Sequence, residues 1–576
     1  MIHKIIKFYI LNPNSNFGIM LLIVVFLGIL ELFGIGVFVP LIDKSNILIN
    51  ETIDLFFTTI GLSSTEINLL IFIFFIFFLK FLLTVVFNKK LSFIMNQLVY
   101  KSRLDIVKKI SHVKYTKLNH YTKGELNNII TKESEKISEG YIYVLQIFLK
   151  ILLSAVYLYL SAIISYKSSI LAITVGILFV FLVRNLSSLS AMYSAQLLKS
   201  NELLNNIVGE FLKDIKRLMA TSTSEVIVKK VGKQLRDYSF TKYKLDYYGK
   251  LGKEIPLPIG VMIIVCVMII NNLYFYEPSI AVLLSAFLLY KTFSYITNIQ
   301  YAYQKLMSIS ASIIKIIDIP IELENNKEEL SENHISSIES LEFLSASHYH
   351  DKKRVFYKAN FKLLKGKKYI VLGESGSGKT TLLNKILMLL ESSRGEYMVN
   401  GVNSSDISRT SFRNLVSYVP QESIFYHGSI RENITLFNDD NKILLSNVVQ
   451  KACLEQVVNH NGVDSVLDAS ELSGGQVQRI SIAREMIKKS DLIIFDEATS
   501  SLDANTNEKL MKNFKTEFDK SIFIMVTHNL GSARDYNFDQ IIFIENGVLV
   551  IENSFSECYQ KYETFKNMCN NQNIIL

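Results

Sequence analysis

Residues 369–380 read Tyr-Ile-Val-Leu-Gly-Glu-Ser-Gly-Ser-Gly-Lys-Thr. The first four are a short apolar strand, and an apolar helical stretch over 381–390 follows. The pattern G-x-x-x-x-G-K-T therefore lies in the strand–loop–helix setting that a phosphate-cradling loop requires. Its glycines allow the backbone N–H groups of Gly373, Glu374, Ser375, Gly376, Ser377 and Gly378 to turn inward around phosphate oxygens. Lys379 offers a charge to the β- and γ-phosphates, the Thr380 hydroxyl is a ligand for Mg²⁺, and Thr381 counts with the nucleotide contacts.

A second apolar strand, Leu492-Ile-Ile-Phe495, ends in Asp496-Glu497. Asp496 is read as part of the magnesium shell and Glu497 as the general base that polarises the attacking water. Two adjacent carboxylates can also be a surface turn. Four apolar residues before them and a phosphate loop upstream speak against that.

Away from these strands the chain changes character. Its 576 residues exceed one ordinary globular core, so two large domains are expected. Runs such as 69–79 are almost free of charge, whereas the second half reads as an α/β protein. Six stretches approach the roughly 20 apolar residues of a membrane span: 17–42, 67–87, 141–165, 168–190, 255–275 and 279–301. The last is the weakest, because Tyr290, Lys291 and Tyr295 make it polar. The net charge of +8 comes from Lys and Arg beside apolar runs, which fits cytoplasmic loops rather than a nucleic-acid surface. Both termini and the two long Lys-rich connections are then cytoplasmic. Those connections contain few Gly or Pro residues. They read as helical hairpins with tips near 120–126 and 210–216. No signal-peptide pattern is evident, and Cys266, Cys453, Cys558 and Cys569 show no metal-ligand spacing. Glu31 and Lys80 fall inside predicted spans, where an ionisable group faces a cavity or a partner. A buried Glu–Lys pair and a place on the translocation path both remain open for Glu31.

Composition turns polar near 319–340. The expected organisation is a six-helix all-α membrane domain over 1–318, a linker over 319–336 and an α/β P-loop domain over 337–565.

Between the two strands lies Leu472-Ser473-Gly474-Gly475-Gln476, which resembles the signature of ATP-binding cassette (ABC) proteins. Gln421 in Tyr418-Val-Pro-Gln421, Ser501-Leu-Asp503 and His528 in Val526-Thr-His528 follow the same family pattern. The resemblance covers about 337–560. It implies that Gln421 sits between the magnesium site and the membrane domain and that His528 contacts the γ-phosphate. It also implies that Ser473, Gly474, Gly475 and Gln476, with Asp503, serve a site shared with a second cassette. One cassette per chain implies a dimer, most simply a homodimer, with ATP and Mg²⁺ as ligands. The membrane half is similar to the exporter branch, with Tyr121-x-x-Gly124-Glu125-Leu126 resembling the segment before the first coupling helix. The implied location is the bacterial cytoplasmic membrane. An adenine-stacking ring is expected at His348 or Tyr349, with Tyr349 favoured. The stretch Gly462-Val-Asp-Ser-Val-Leu-Asp-Ala-Ser-Glu471 departs from the family's glycine-containing loop before the signature.

Cargo is less legible. Leu30-Glu31-Leu-Phe-Gly-Ile-Gly-Val-Phe-Val-Pro40 resembles the first helix of lipid-linked oligosaccharide flippases. That makes a lipid-linked or amphiphilic substrate the lead. Export of a small peptide or bacteriocin is the alternative, although no N-terminal peptidase segment is expected. A multidrug or lipid exporter stays open, and a non-pumping channel or regulator is disfavoured by Glu497 and His528.

Overall fold

The structure, a computed structural model, describes every residue except 1, 38–40, 42–46, 60, 255, 276–278, 329, 330, 351, 352, 392, 439–444, 499–501, 529, 537, 573, 575 and 576. It also leaves aside the side chains across much of 42–52, 171–194 and 252–281. Two compact units emerge: Met1–Val113 with His120–Lys327, and Lys114–Asn119 with Glu328–Leu576.

The first unit is helical. Its main helices are α1 (Ile2–Leu11), α2 (Phe17–Gly36), α3 (Ile47–Thr59), α4 (Glu66–Ile110), α5 (Glu135–Ile164), α6 (Tyr166–Lys213), α7 (Ser224–Glu254), α8 (Pro256–Ile270) and α9 (Ser279–Asn325). Thr65 caps α4 by accepting from the Asn68 amide. No Gly or Pro interrupts α4, so it continues for 45 residues. At 1.5 Å per residue that is about 67 Å, twice a bilayer core, so α4 leaves the membrane and its Lys-rich half is wet. Three described segments are long and apolar enough to cross a bilayer: Pro13–Gly36, Glu66–Ile110 and Lys123–Ile164. The other three expected spans fall in α6, in α8 with its π-helical extension Asn271–Phe275, and in α9.

The hairpin tips lie close to where the sequence places them. Short helices Tyr115–Leu118 and Lys123–Asn128 join α4 to α5, and Ile215–Ala220 joins α6 to α7. Helix α9 runs beyond the expected span to Asn325, tolerating Pro320, and the units divide after Lys327. Glu328, within the expected linker, accepts from Arg413 at 2.7 and 2.8 Å. Burial opposes ionisation of Glu328, but the Arg413 and Arg409 guanidiniums prevail and hold its carboxyl below the usual range.

Helices α1, α5 and α9 meet tightly. A Cβ at Gly140 would lie 2.4 Å from Ile313 Cδ1 and 2.7 Å from the Tyr9 hydroxyl. Tyr9 donates to the Ile137 carbonyl at 2.6 Å, and Tyr141 to that of Ser15 at 2.6 Å. Ser161 bonds Ser169 at 2.8 Å and Ser285 at 2.9 Å, tying α5 to α6 and α9. The Glu31 carboxylate accepts from Lys80 at 3.0 Å, Tyr157 at 2.5 Å and Tyr295 at 3.2 Å. The Glu–Lys pair is therefore present. Pro40, further along that motif, lies outside the described residues.

The second unit is built on three sheets. Strands β1 (Ser340–His350), β2 (Lys353–Leu364), β4 (Arg394–Val399) and β5 (Val402–Asn403) form an antiparallel sheet in the order β2-β1-β4-β5. Strands β3 (Lys368–Gly373), β6 (Val416–Val419), β9 (Leu492–Asp496), β10 (Ile522–Val526), β11 (Gln540–Glu545) and β12 (Val548–Glu552) form the central sheet β12-β11-β3-β10-β9-β6. It is parallel except for β12. Its inner strands are buried along nearly their whole length, hence their continuous apolar runs. A short pair, β7 (Gly428–Ser429) with β8 (Val466–Leu467), lies apart. The carboxyl ends of β3, β9 and β10 adjoin, which is where an open α/β sheet binds ligands.

Candidate functional site

Strand β3 ends in the glycine loop, and helix α10 (Lys379–Ile386) starts directly after it. Gly378 occupies φ +107°, a conformation open chiefly to glycine, and a Cβ there would meet Val355 Cγ1 at 2.8 Å. The loop is thus closed down on itself at the start of a helix. Lys379 turns back over it, donating to the carbonyls of Gly373 at 2.8 Å and Glu374 at 2.9 Å. Ser377 Oγ is buried and has no hydrogen-bond partner. An orphaned donor inside a ring of backbone amides fits a phosphate oxygen.

A cleft of about 1120 Å³ opens over this loop. Its walls include the loop from Glu374 to Thr381, together with Gln421, Glu497 and His528. Gln421 Nε2 donates to Glu497 Oε2 at 2.6 Å, and His528 Nδ1 lies 3.2 Å from Glu497 Oε1. Glu497 itself has φ +50°. A left-handed backbone costs a glutamate roughly 1–3 kcal/mol, and such strain concentrates at functional positions. Its amide bonds the Val526 carbonyl at 2.9 Å, which anchors it to the end of β10.

Asp496 ends β9 and accepts from the Tyr418 hydroxyl at 3.0 Å. Burial and the adjacent Glu497 push its carboxyl up, against the lowering effects of Tyr418 and Lys379. Burial likewise pushes the Lys379 ammonium down, opposed by Glu497 and Asp496. A carboxyl and an ammonium that burial makes resist charge, side by side, fit a site that takes a metal ion and a polyphosphate. Thr380, Gln421 and Asp496 carry oxygen atoms of the kind that could hold Mg²⁺.

Other expected site residues lie elsewhere. Ser473 caps helix α11 (Gly474–Ile487), accepting from the Gln476 amide at 3.3 Å, while Gln476 Oε1 accepts from the Ser473 amide at 2.8 Å. A Cβ at Gly474 would meet nothing within 4 Å, so this helix start is open to solvent. Neither Ser473, Gly474, Gly475 and Gln476 nor Asp503 lines the cleft of their own chain. Asp503 caps helix α12 (Ala504–Glu517), and the Thr506 amide holds its carboxyl below the usual range. Ser501 lies outside the described residues.

The expected adenine-stacking rings, Tyr349 and His348, are not among the residues that line this cleft. Tyr349 pairs with Arg354 across the β1–β2 hairpin and does not line the cleft; Arg354 and Val355 do. The cause is a set of register shifts between Phe343 and Tyr349 that break the alternation of faces along β1. His348 packs against Phe356 instead.

The opposite wall escaped the motif reading altogether. It comes from Asn546 and Gly547, the turn between β11 and β12, and from Thr564. Asn-Gly between two apolar strands is a hairpin signal that locates the turn but not its contact with the cleft. The Tyr357 amide bonds the Gly547 carbonyl at 2.9 Å, and Arg354 donates to that of Asn546 at 3.4 Å. Gln572, in the turn after helix α13 (Glu563–Asn571), donates to the His528 carbonyl at 2.8 Å and accepts from the Leu530 amide at 2.9 Å.

Comparison with known proteins agrees with this geometry. Residues 356–500, within the second unit, match the family described as ABC transporter. The chain is 32% identical over 281 residues to the lactococcin-G-processing and transport ATP-binding protein LagD of Lactococcus lactis subsp. lactis, covering 48% of this chain and 39% of that one. It is 28% identical over 281 residues to the ATP-dependent lipid A-core flippase of Desulfotalea psychrophila, covering 47% and 48%. The chain spans about half the length of the curated relatives it matches, or less. A bacterial Atm1-family ABC exporter with ATP bound has the same fold, with a TM-score of 0.75, 16% identity, and coverage of 98% of this chain and 100% of that one.

Proposed function

We propose that this protein hydrolyses ATP to move an amphiphilic substrate, with a lipid-linked oligosaccharide as lead, across the bacterial cytoplasmic membrane as a homodimer. The observation that carries the ATPase reading is the meeting of Gln421, Glu497 and His528 on the phosphate loop. The loop amides and Lys379 would bind the polyphosphate. Mg²⁺, held by Thr380, Gln421 and Asp496, would supply charge neutralisation between the β- and γ-phosphates. Glu497 would take a proton from the attacking water, and His528 would steady the γ-phosphate. Both oxygens of Glu497 are engaged, by Gln421 and by His528. Each oxygen keeps a further lone pair, so an attacking water could donate to Glu497 with these contacts in place.

The open start of α11 supports the dimer reading. A helix N-terminus with Ser473 and exposed backbone amides suits an anionic phosphate, and in its own chain none is offered. A second chain would present one. For cargo, the lipid A-core flippase similarity and the Glu31 motif favour a lipid-linked substrate. The similarity to LagD supports the second reading, export of a small peptide.

The test is Glu497→Gln in proteoliposomes. ATP hydrolysis is expected to fall by at least about 100-fold with ATP binding retained. Turnover near the original rate would sink the assignment of the base. Transport assays with a lipid-linked sugar and with a short peptide then separate the two cargo readings.

A further inference from the structure

The first unit contains a cavity of about 460 Å³ between α2, α4, α5 and α9. Its polar lining is Asn88, Gln146, Lys150, Asn298 and Tyr301; the remainder is apolar, from residues such as Leu91 and Leu145. These positions fall where the apolar runs 67–87 and 279–301 end and the run 141–165 begins. With the Lys-rich connections cytoplasmic, the cavity lies level with the inner-leaflet headgroups.

The charges around it do not balance. Lys150 Nζ sits 4.6 Å from the centre of the Tyr295 ring. The charged groups that act on it are Glu31, Lys291 and Lys80. Glu31 is already committed: Lys80 takes one carboxylate oxygen, and Tyr157 and Tyr295 take the other. Three ammonium groups thus share one carboxylate. Among the described residues, neither Lys150 nor Lys291 has a carboxylate within ion-pair distance. Uncompensated cations at this depth are costly unless an anion arrives from outside. Amides and a phenol beside Lys150 are the donors that phosphoryl or sugar oxygens accept from, and the apolar wall suits a hydrocarbon tail.

We infer that the cavity at Lys150 is an entry site for the phosphate-bearing headgroup of an anionic lipid, with Lys150 as the cation that selects it. The inference rests on the transport reading above and specifies the substrate class. Lys150 contributes an ammonium held by the Tyr295 ring face, Lys291 adds long-range attraction, and the Glu31–Lys80 pair keeps Tyr295 in place. An acidic peptide is the weaker fit, because the anionic binding group is one lysine beside an apolar wall rather than a chain of backbone-binding positions.

Binding to the full-length protein in neutral detergent, without nucleotide, decides the matter. The probes are farnesyl diphosphate, farnesol, inorganic pyrophosphate and an acidic amphipathic peptide, read by native mass spectrometry and titration calorimetry. Farnesyl diphosphate is expected to saturate one site per chain and to weaken about tenfold or more in Lys150→Ala, with Lys150→Arg restoring most of the affinity. Farnesol is expected to bind weakly and indifferently to the substitution. Lys291→Ala gives a smaller loss and serves if Lys150→Ala does not fold. The inference is overturned if Lys150→Ala binds the diphosphate as the parent does, or if farnesol binds as tightly. It is equally overturned if pyrophosphate matches the lipid or if only the peptide binds. Since no turnover is involved, failure here with intact ATPase activity removes the lipid site alone. A lipid-binding protein without ATPase activity removes the transport reading instead.

Discussion

Glu31 and Lys80 have side-chain exposures of 15% and 26%, so their mutual charge is only partly shared with surroundings. Removing the carboxylate strands Lys80. Glu31→Ala is expected to lower stability by about 1–3 kcal/mol, read as thermal unfolding in detergent, and Glu31→Gln with Lys80→Met to recover at least half of that. In the second unit Lys385 is buried against Tyr397, and burial pushes its ammonium down to about 8, with Glu391 opposing and Arg409 assisting. The unfolded lysine holds its proton to its ordinary value of 10.5. Between those values the unfolded chain binds more protons, so stability attributable to this group rises as pH climbs from about 8 toward 10.5. Lys385→Met is expected to flatten that rise, by on the order of 2 kcal/mol, in melts compared at pH 7.5 and 10. Single residues were also where the sequence was least complete. Lys379, Gln421, Glu497 and His528 are identified by short motifs whose residues converge whatever the loops between them do. Counting along the chain lands on His348 with Tyr349 next to it, and the register shifts in β1 are what such a count cannot see. Arg354 belongs to the cleft through the β1–β2 pairing, which no local pattern records.

Among elements, the α5 crossing with α1 and α9 is the most exacting. Gly140 has no room for a methyl group, with Ile313 Cδ1 and the Tyr9 hydroxyl both under 3 Å from where a Cβ would stand. Gly140→Val is expected to destabilise the first unit by roughly 1–3 kcal/mol; Ile313→Ala in the same chain should return part of the loss. Thermal unfolding of the single and double variants measures both. Helix α9 shows that the end of an apolar run need not be the end of its helix. Apolarity measures the bilayer, and a helix that exits the bilayer stays a helix when nothing breaks it. The apolar run is expected to end near 301, whereas the chain continues as helix to Asn325. The β3 strand and α10 helix were legible because a buried parallel strand is a continuous apolar run and the glycine loop fixes the boundary between them.

For the whole molecule, the proposed dimer would tie the activity of one chain to another through the open start of α11. If the two sites of a dimer act together, mixing wild-type and Glu497→Gln subunits in equal amounts leaves about one quarter of dimers with two intact sites. Activity is then expected to drop to about a quarter, whereas independent sites would keep about half. The departure over Gly462–Glu471 was the least legible stretch of the second unit; there Asp464 pairs with Arg431 and Asp468 with His427. The last feature concerns the far end of the chain. Gln572 grips the backbone on both sides of residue 529 through His528 and Leu530. Gln572 is thus a clasp on the loop that carries His528, the proposed γ-phosphate contact. Trimming the tail ahead of Gln572, or crowding it with a bulky purification handle, would slacken that loop. Such a preparation would still fold and bind nucleotide but turn over poorly. A handle placed at the amino end avoids the problem.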